Sequence, residues 1–308
     1  MTNKITGFHI EPTNICTLKC EGCARTRFID QWPQHWQNHS INVDGLMKFL
    51  DIDLTGLRIL LCGVYGDPIY HSDFHNLLQQ LKDRGSHISI VTNGSYKTAE
   101  WWKTTADILT KDDKIVFSID GLPDNFTKYR KNADWESIKI GIDSMVESDC
   151  RTIWKFIPFS FNQTNIATAQ ALATDLGIDE FKVEYSDRFD EKTQYLIPDH
   201  RLLGGNYGLR NEFKQGETLA TNPRCYNGKE HFISASGFYS PCGYINDHRF
   251  YYKTIFGKNK TMFDISKTNY SNLMQQSEVV EFYQSLPQSP TAACQFNCPS
   301  SKIDVKIH

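Results

Sequence analysis

The sequence predicts an α/β protein built on a parallel sheet, with a smaller cysteine-bearing unit after it. Three observations carry that prediction. Short apolar runs alternate with helical segments from residue 5 to about 187, the alternation stops over residues 188–220, and a glycine-centred hairpin pattern follows. Ile5–Ile10, Leu57–Cys62, His87–Val91, Ile115–Ile119, Thr152–Ile157 and Phe181–Tyr185 read as buried strands, rich in Val, Ile and Phe and bounded by Gly, Pro, Asn or Asp. Between them, Asp73–Gly85 carries apolar residues at 74, 77, 78 and 81, with an acidic start and a glycine stop, and Thr164–Leu176 closes on Gly177. Strand–helix repeats of this kind build parallel sheets through right-handed crossovers, and six strands are too few for a full eight-stranded barrel. Further on, Glu230–Ala235 and Phe238–Tyr244 flank Ser236-Gly237 as a hairpin, and Ser277–Leu286 reads as a short helix.

Composition narrows the function classes. Hydrophobic residues make up 40% of the chain, enough for a sizeable core, and the formal charge of −3 comes with no basic stripe or polybasic cluster. No nucleic-acid or membrane partner is expected from that balance. The first ten residues carry no secretory pattern and no run approaches a membrane span, so the sequence predicts a cytoplasmic protein. Its nine cysteines are odd in number and spaced like ligands, which fits metal binding in a reducing compartment better than disulfides.

Cys16, Cys20 and Cys23 lie in one short loop directly after the first strand. Three thiolates at this spacing can wrap a cuboidal [4Fe–4S] cluster but bind only three of its irons. The fourth iron is left open to an exogenous ligand, as on a catalytic metal. The other readings of the set are a zinc site, for which His9 is the nearest fourth donor, and buried unliganded thiols. The CxxxCxxC run resembles the signature of the radical S-adenosylmethionine (SAM) superfamily. That resemblance implies a partial (β/α)6 TIM-like barrel over residues 1–190, with the site at the C-terminal ends of its strands. It also implies a bound SAM that is cleaved reductively to methionine and a 5′-deoxyadenosyl radical, which abstracts a hydrogen atom from substrate.

The same resemblance assigns SAM contacts. The run Gly63-Val64-Tyr65-Gly66-Asp67-Pro68 after the second strand is similar to the superfamily's Gly-Gly-Glu-Pro segment, with Tyr65 in place of a glycine and Asp67 in place of the glutamate. Asp67 still offers an anionic acceptor to the SAM ammonium, and Gly66 lets backbone approach a ligand. Asn93, in Thr92-Asn93-Gly94, ends the third strand. Ser118, in Ser118-Ile119-Asp120-Gly121, and Arg130 resemble the contacts to the SAM carboxylate and ribose. Gly22 stands where the family carries an aromatic residue against adenine.

Cys225, Cys242, Cys294 and Cys298 form a second set. Four thiolates can saturate a [4Fe–4S] cluster or close a zinc site. Their arrangement around the hairpin resembles the auxiliary-cluster domains called SPASM or twitch, which implies a small α+β auxiliary domain over 221–308 holding one auxiliary [4Fe–4S] cluster. Residues 191–220 read as a linker or substrate-covering loop. The function implied is an oxidoreductase that modifies a peptide or protein side chain, with dehydrogenation of a small polyol or aminocyclitol as the second reading. The resemblance implies an electron donor such as a flavodoxin or ferredoxin. A non-catalytic iron–sulfur sensor or carrier is the alternative of another class, and the open iron argues against it. His9, Glu11, Lys155, Glu184 and Asp187, at or near the strand ends, are candidate polar contacts to substrate.

Overall fold

A computed structural model describes residues 4–186, 189, 191–199 and 221–298. Asp187 and most of the linker or covering loop lie outside the described residues. The six expected strands are present as β1 (Gly7–Ile10), β2 (Arg58–Leu61), β3 (His87–Thr92), β4 (Lys114–Ser118), β5 (Arg151–Phe156) and β6 (Glu180–Val183). Their bounds differ by a residue or two from the apolar runs that predicted them, β3 by gaining Thr92 and the others by a shift or trim. They pair in parallel in chain order, joined by helices α1 (Ala24–Gln31), α2 (Val43–Phe49), α3 (Phe74–Asp83), α4 (Ala99–Ile108), α5 (Trp135–Val146) and α6 (Ile166–Asp175). This is the mostly parallel α/β sheet of a partial barrel.

The hairpin is also present, as β7 (His231–Ile233) and β8 (Tyr239–Ser240), paired antiparallel across Gly237, whose φ of 78° suits glycine. It does not stand apart. β7 pairs in parallel with β1, Phe8 against His231 and Ile10 against Ile233, so the sheet runs β6-β5-β4-β3-β2-β1-β7-β8. Among the described residues five short helices follow: α7 (His248–Tyr251), α8 (Ile255–Lys258), α9 (Tyr270–Leu273), α10 (Ser277–Ser285) and α11 (Ala292–Asn297). Among the described residues no helix is long and apolar enough to cross a membrane.

Alternation along the strands sorts the two faces. Phe8 and Ile10, Ile59 and Leu61, Ile88 and Ile90, and Ile115 and Phe117 are fully buried against the helices. His9, Leu60, Ser89, Val91, Val116, Ser118 and Lys155 take the opposite face, several of them half-buried. Helix starts are capped by short polar side chains: Asn42 accepts from Gly45 N, Thr98 from Trp101 N, and Asp134 from Ser137 N. Trp102 of α4 is fully buried, and Gly141 of α5 makes room for it, since a Cβ there would stand 2.7 Å from the indole. Gly141→Ala gains helix propensity but overpacks this contact, and a net loss of about 1–3 kcal/mol is expected from the urea midpoint. A midpoint at or above wild type would show that the two helices separate freely.

Candidate active site

The loop carrying Cys16, Cys20 and Cys23 leaves the C-terminal end of β1 and is clamped at Asn14, ahead of the thiols, and at Lys19, between them. Asn14 donates from its backbone to His39 O and from Nδ2 to Gln37 O at 2.8 Å, while Oδ1 accepts from His39 N at 2.8 Å. Lys19 N donates to Lys131 O, and Cys23 N to Cys20 O, after which Cys23 starts α1. Leu18, Cys20, Tyr129, Phe159 and Leu196 form a small apolar cluster of their own, with Cys16, Cys23 and Phe161 against it. Burial, then the Asp67 carboxylate, pushes the Cys16 thiol up to about 12, and burial does the same to Cys20. Iron would supply the positive charge these sulfurs lack. No three His, Cys, Asp or Glu side chains among the described residues are grouped to hold a single ion. A cuboidal cluster, which spreads its thiolates, fits the three-sulfur donor set.

The turn after β2 closes on this loop. Asp67 N donates to Ile15 O at 3.0 Å, and a Cβ on Gly66 would stand 2.0 Å from Thr13 O. Gly66 therefore admits the cysteine loop itself to close approach, where the sequence reading reserved that space for a ligand. The half-buried Tyr65 ring lies 6.4 Å from Phe28 and 6.1 Å from Trp36, and the Arg25 guanidinium lies 5.4 Å over Trp36. With half-exposed Trp32 stacked edge-on to Phe28, these rings make an aromatic platform beside the cysteines. Nothing in the local sequence flagged it, because Tyr65 lies far along the chain from the other three.

Asp67 is buried, and its carboxylate is already engaged. Oδ1 accepts from Thr92 Oγ1 at 2.8 Å and Ile69 N at 3.3 Å, and Oδ2 accepts from both Asn93 N and Asn93 Nδ2 at 2.6 Å. Four donors of its own chain occupy the acceptor sites that the resemblance assigned to an ammonium. The carboxylate reaches β3 and holds Asn93, whose amide also lies 3.6 Å from Cys16 Sγ. Ser118 is buried on the strand face opposite the helices, and its hydroxyl makes no hydrogen bond among the described residues. Arg130 donates from Nε to Asp120 Oδ2 at 2.8 Å. Burial would lower this guanidinium's pKa, but the Asp120 carboxylate and the Cys20 sulfur beside it hold it above its ordinary value. Asp120 also accepts from Ile157 N at 2.9 Å, so β4, β5 and Arg130 meet at one carboxylate.

The remaining polar candidates separate. Glu11 Oε1 accepts from Tyr65 N at 2.6 Å and Gly66 N at 3.2 Å, which makes it the anchor of the turn. His9 donates from Nε2 to Cys62 O at 2.8 Å and stands edge-on to Phe232, its ring beside Gly243. Burial lowers its pKa. Lys155 stands 3.9 Å from Glu184 at the β5–β6 edge.

The second cysteine set flanks the β7–β8 hairpin in the chain, with Cys225 before it, Cys242 after it, Cys294 in α11 and Cys298 at that helix's end. Burial raises the Cys294 and Cys298 thiols, and the charge of Cys242 adds to the rise of each. Cys298 N donates to Cys294 O at 2.7 Å at the end of α11, and Asn222 N donates to Cys298 O at 2.8 Å. Beneath Cys225 lies a buried polar network. His231 Nε2 is 3.2 Å from Cys225 O, its Nδ1 is 2.9 Å from Tyr239 Oη and 3.0 Å from Tyr270 Oη, and Tyr239 and Tyr283 hydroxyls are 2.7 Å apart. Sequence reasoning missed this group, since its members are unremarkable one by one and up to 52 residues apart.

A family model described as the Radical SAM superfamily matches residues 10–172. The tungsten-containing aldehyde ferredoxin oxidoreductase cofactor-modifying protein of Pyrococcus furiosus is 31% identical over 119 residues, which take in 37% of this chain and 31% of that protein. The chain thus spans about a third of the length of this curated relative. Among solved structures, SuiB of Streptococcus suis is similar with a TM-score of 0.63 at 16% identity, over 93% of this chain and 68% of SuiB. Native anSMEcpe with bound AdoMet follows at 0.61 and 12%, over 95% of this chain and 89% of that one. SuiB has also been solved with the precursor peptide SuiA, and anSMEcpe with a Cp18Cys peptide. At these identities the two structures share the fold. The family match covers more than half of the chain's 308 residues, including the three-cysteine loop at the strand ends, and the chain belongs to the radical S-adenosylmethionine superfamily.

Proposed function

We propose that this enzyme cleaves SAM reductively and abstracts a hydrogen atom from a peptide or protein side chain, which it then oxidises. The observation that carries the reading is the packing of the segment leading into Cys16 against Gly66, through Thr13 and Asn14, and of Cys16 itself against Asn93, at the C-terminal ends of parallel strands. When bound there, the reduced cluster and SAM supply the 5′-deoxyadenosyl radical. Cys16, Cys20 and Cys23 would hold the cluster. Arg130 keeps its Nη groups free of partners among the described residues while Nε is tied to Asp120, which leaves the fork for the SAM carboxylate, with the Ser118 hydroxyl as a second polar contact. Leu18, Tyr129 and Phe159 exclude water from the sulfurs.

Cys225, Cys242, Cys294 and Cys298 would hold an auxiliary four-iron cluster, which would supply an acceptor for the substrate's second electron; the four-thiol donor set around the β7–β8 hairpin supports this assignment. The peptide reading is supported by the aromatic platform of Phe28, Trp32, Trp36 and Tyr65 at the site's edge, and by the peptide complexes of SuiB and anSMEcpe. The test is anaerobic reconstitution followed by quantification of 5′-deoxyadenosine with SAM and dithionite. Wild type is expected to bind about eight irons and produce 5′-deoxyadenosine, and the Cys16/Cys20/Cys23→Ala variant to keep about four irons and produce none. Equal production by the two proteins would reject the assignment.

A further inference from the structure

We propose that Asn93, held in place by Asp67, donates an N–H···S hydrogen bond to Cys16 that sets how easily the three-cysteine cluster is reduced. The inference rests on the cluster reading above. The amide nitrogen of Asn93 lies 2.6 Å from Asp67 Oδ2 and 3.6 Å from Cys16 Sγ, and the amide oxygen accepts from Ser95 N at 2.9 Å. This fixes the orientation of the amide, because the flipped group would bring two oxygens together at Asp67 and two donors together at Ser95. One N–H therefore goes to the carboxylate, and the second faces the sulfur.

Asp67 is itself held by Thr92 Oγ1, Asn93 N and Ile69 N, and both side chains are buried, so the donor cannot swing away into water. The physical consequence follows from where the added electron's charge goes. Reduction increases the negative charge on the cluster sulfurs, so a donor aimed at one of them stabilises the reduced form more than the oxidised form. Asn93 also stands between Cys16 and the Asp67 carboxylate, whose charge opposes reduction, and presents a positive dipole end to the sulfur. Asn93 is a positioning residue in this scheme. It ligates nothing, and its effect passes through Cys16.

The measurement is a redox titration of the reconstituted protein without SAM, followed by the EPR signal of the reduced three-cysteine cluster, with the auxiliary cysteines replaced by alanine to remove the second signal. Asn93→Ala is expected to make the cluster about tenfold harder to reduce, a fall of about 59 mV for a one-electron couple. Thr92→Val, which removes a different bond to Asp67, is expected to stay within about twofold of its parent. Unchanged potential in Asn93→Ala, or an equal fall in Thr92→Val, would overturn the proposal.

A second measurement needs no variant. Pulsed EPR of the reduced protein labelled at the asparagine side-chain amide is expected to show coupling to that nitrogen, and its absence overturns the proposal even if Asn93→Ala does not load cluster. A protein that forms no reducible cluster at Cys16, Cys20 and Cys23 overturns the cluster reading together with this one, whereas a cluster of unaltered potential overturns this one alone.

Discussion

Replacing Glu11 by alanine is expected to destabilise the protein by about 2–4 kcal/mol, because at least two half-buried backbone donors lose a buried acceptor at once. Tyr65 N and Gly66 N both point at Glu11 Oε1, and the amides of Val64 and Ala235 also act on this carboxyl. Ala235 lies in the turn of the β7–β8 hairpin, so the same carboxyl also acts on the hairpin that extends the sheet past β1. The loss therefore loosens the turn that seats Asp67 and the link to the second cysteine set together. Iron content after reconstitution is expected to fall with the urea midpoint.

The pH dependence gives a sharper test of the same contact. Burial pushes the Glu11 carboxyl above its ordinary value, and the backbone N–H groups offset only part of that rise. The folded state therefore retains a proton that the unfolded chain has already released. With more protons bound in the folded state, stability falls as pH rises from the ordinary glutamate value of about 4.3 through the folded one. Glu11→Gln keeps an acceptor oxygen and removes the titration. The stability of wild type relative to Glu11→Gln is thus expected to decline as pH rises across that window, and to be flat above it. A relative stability that rises with pH would mean that the carboxylate is better solvated by its amides than its burial implies.

The parts of this molecule legible in the sequence are those with a local signal. The six barrel strands are visible because Val, Ile and Phe concentrate in short runs between glycines and helix starts, and the hairpin because Gly237 sits between two such runs. The three-cysteine loop is visible because its ligands are neighbours in the chain. What escaped is pairing over distance. β7 joins β1 across more than 220 residues, and no residue in either strand announces the partner. The helices over 24–49 were not foreseen, and α1 buries no residue fully. Asp67 illustrates the limit best: its charge and position read as a ligand for a cation, and only the placement of Thr92 and Asn93 beside it reveals that its acceptor sites are filled.

Asp120→Ala is expected to cost about 3–5 kcal/mol, the range for removing one partner of a buried ion pair. Asp120 is fully buried, and the Arg130 side chain is only 13% exposed, so the guanidinium left behind has little water to replace its partner. Ile157 N loses its acceptor as well. Arg130→Met leaves the opposite charge unpaired and is expected to cost a similar amount. The Asp120→Ala/Arg130→Met double variant leaves neither, and is expected to be more stable than the sum of the single losses by about 1–3 kcal/mol. Arg130→Lys keeps a charge beside Asp120 but loses the fork. It is expected to load iron normally while binding SAM at least tenfold more weakly by calorimetry, because one ammonium cannot serve Asp120 and a carboxylate ligand in the same geometry. Additive stability losses would mean that the pair is two independent contacts. Unchanged SAM affinity in Arg130→Lys would confine Arg130 to joining β4 and β5 beneath the cysteine loop.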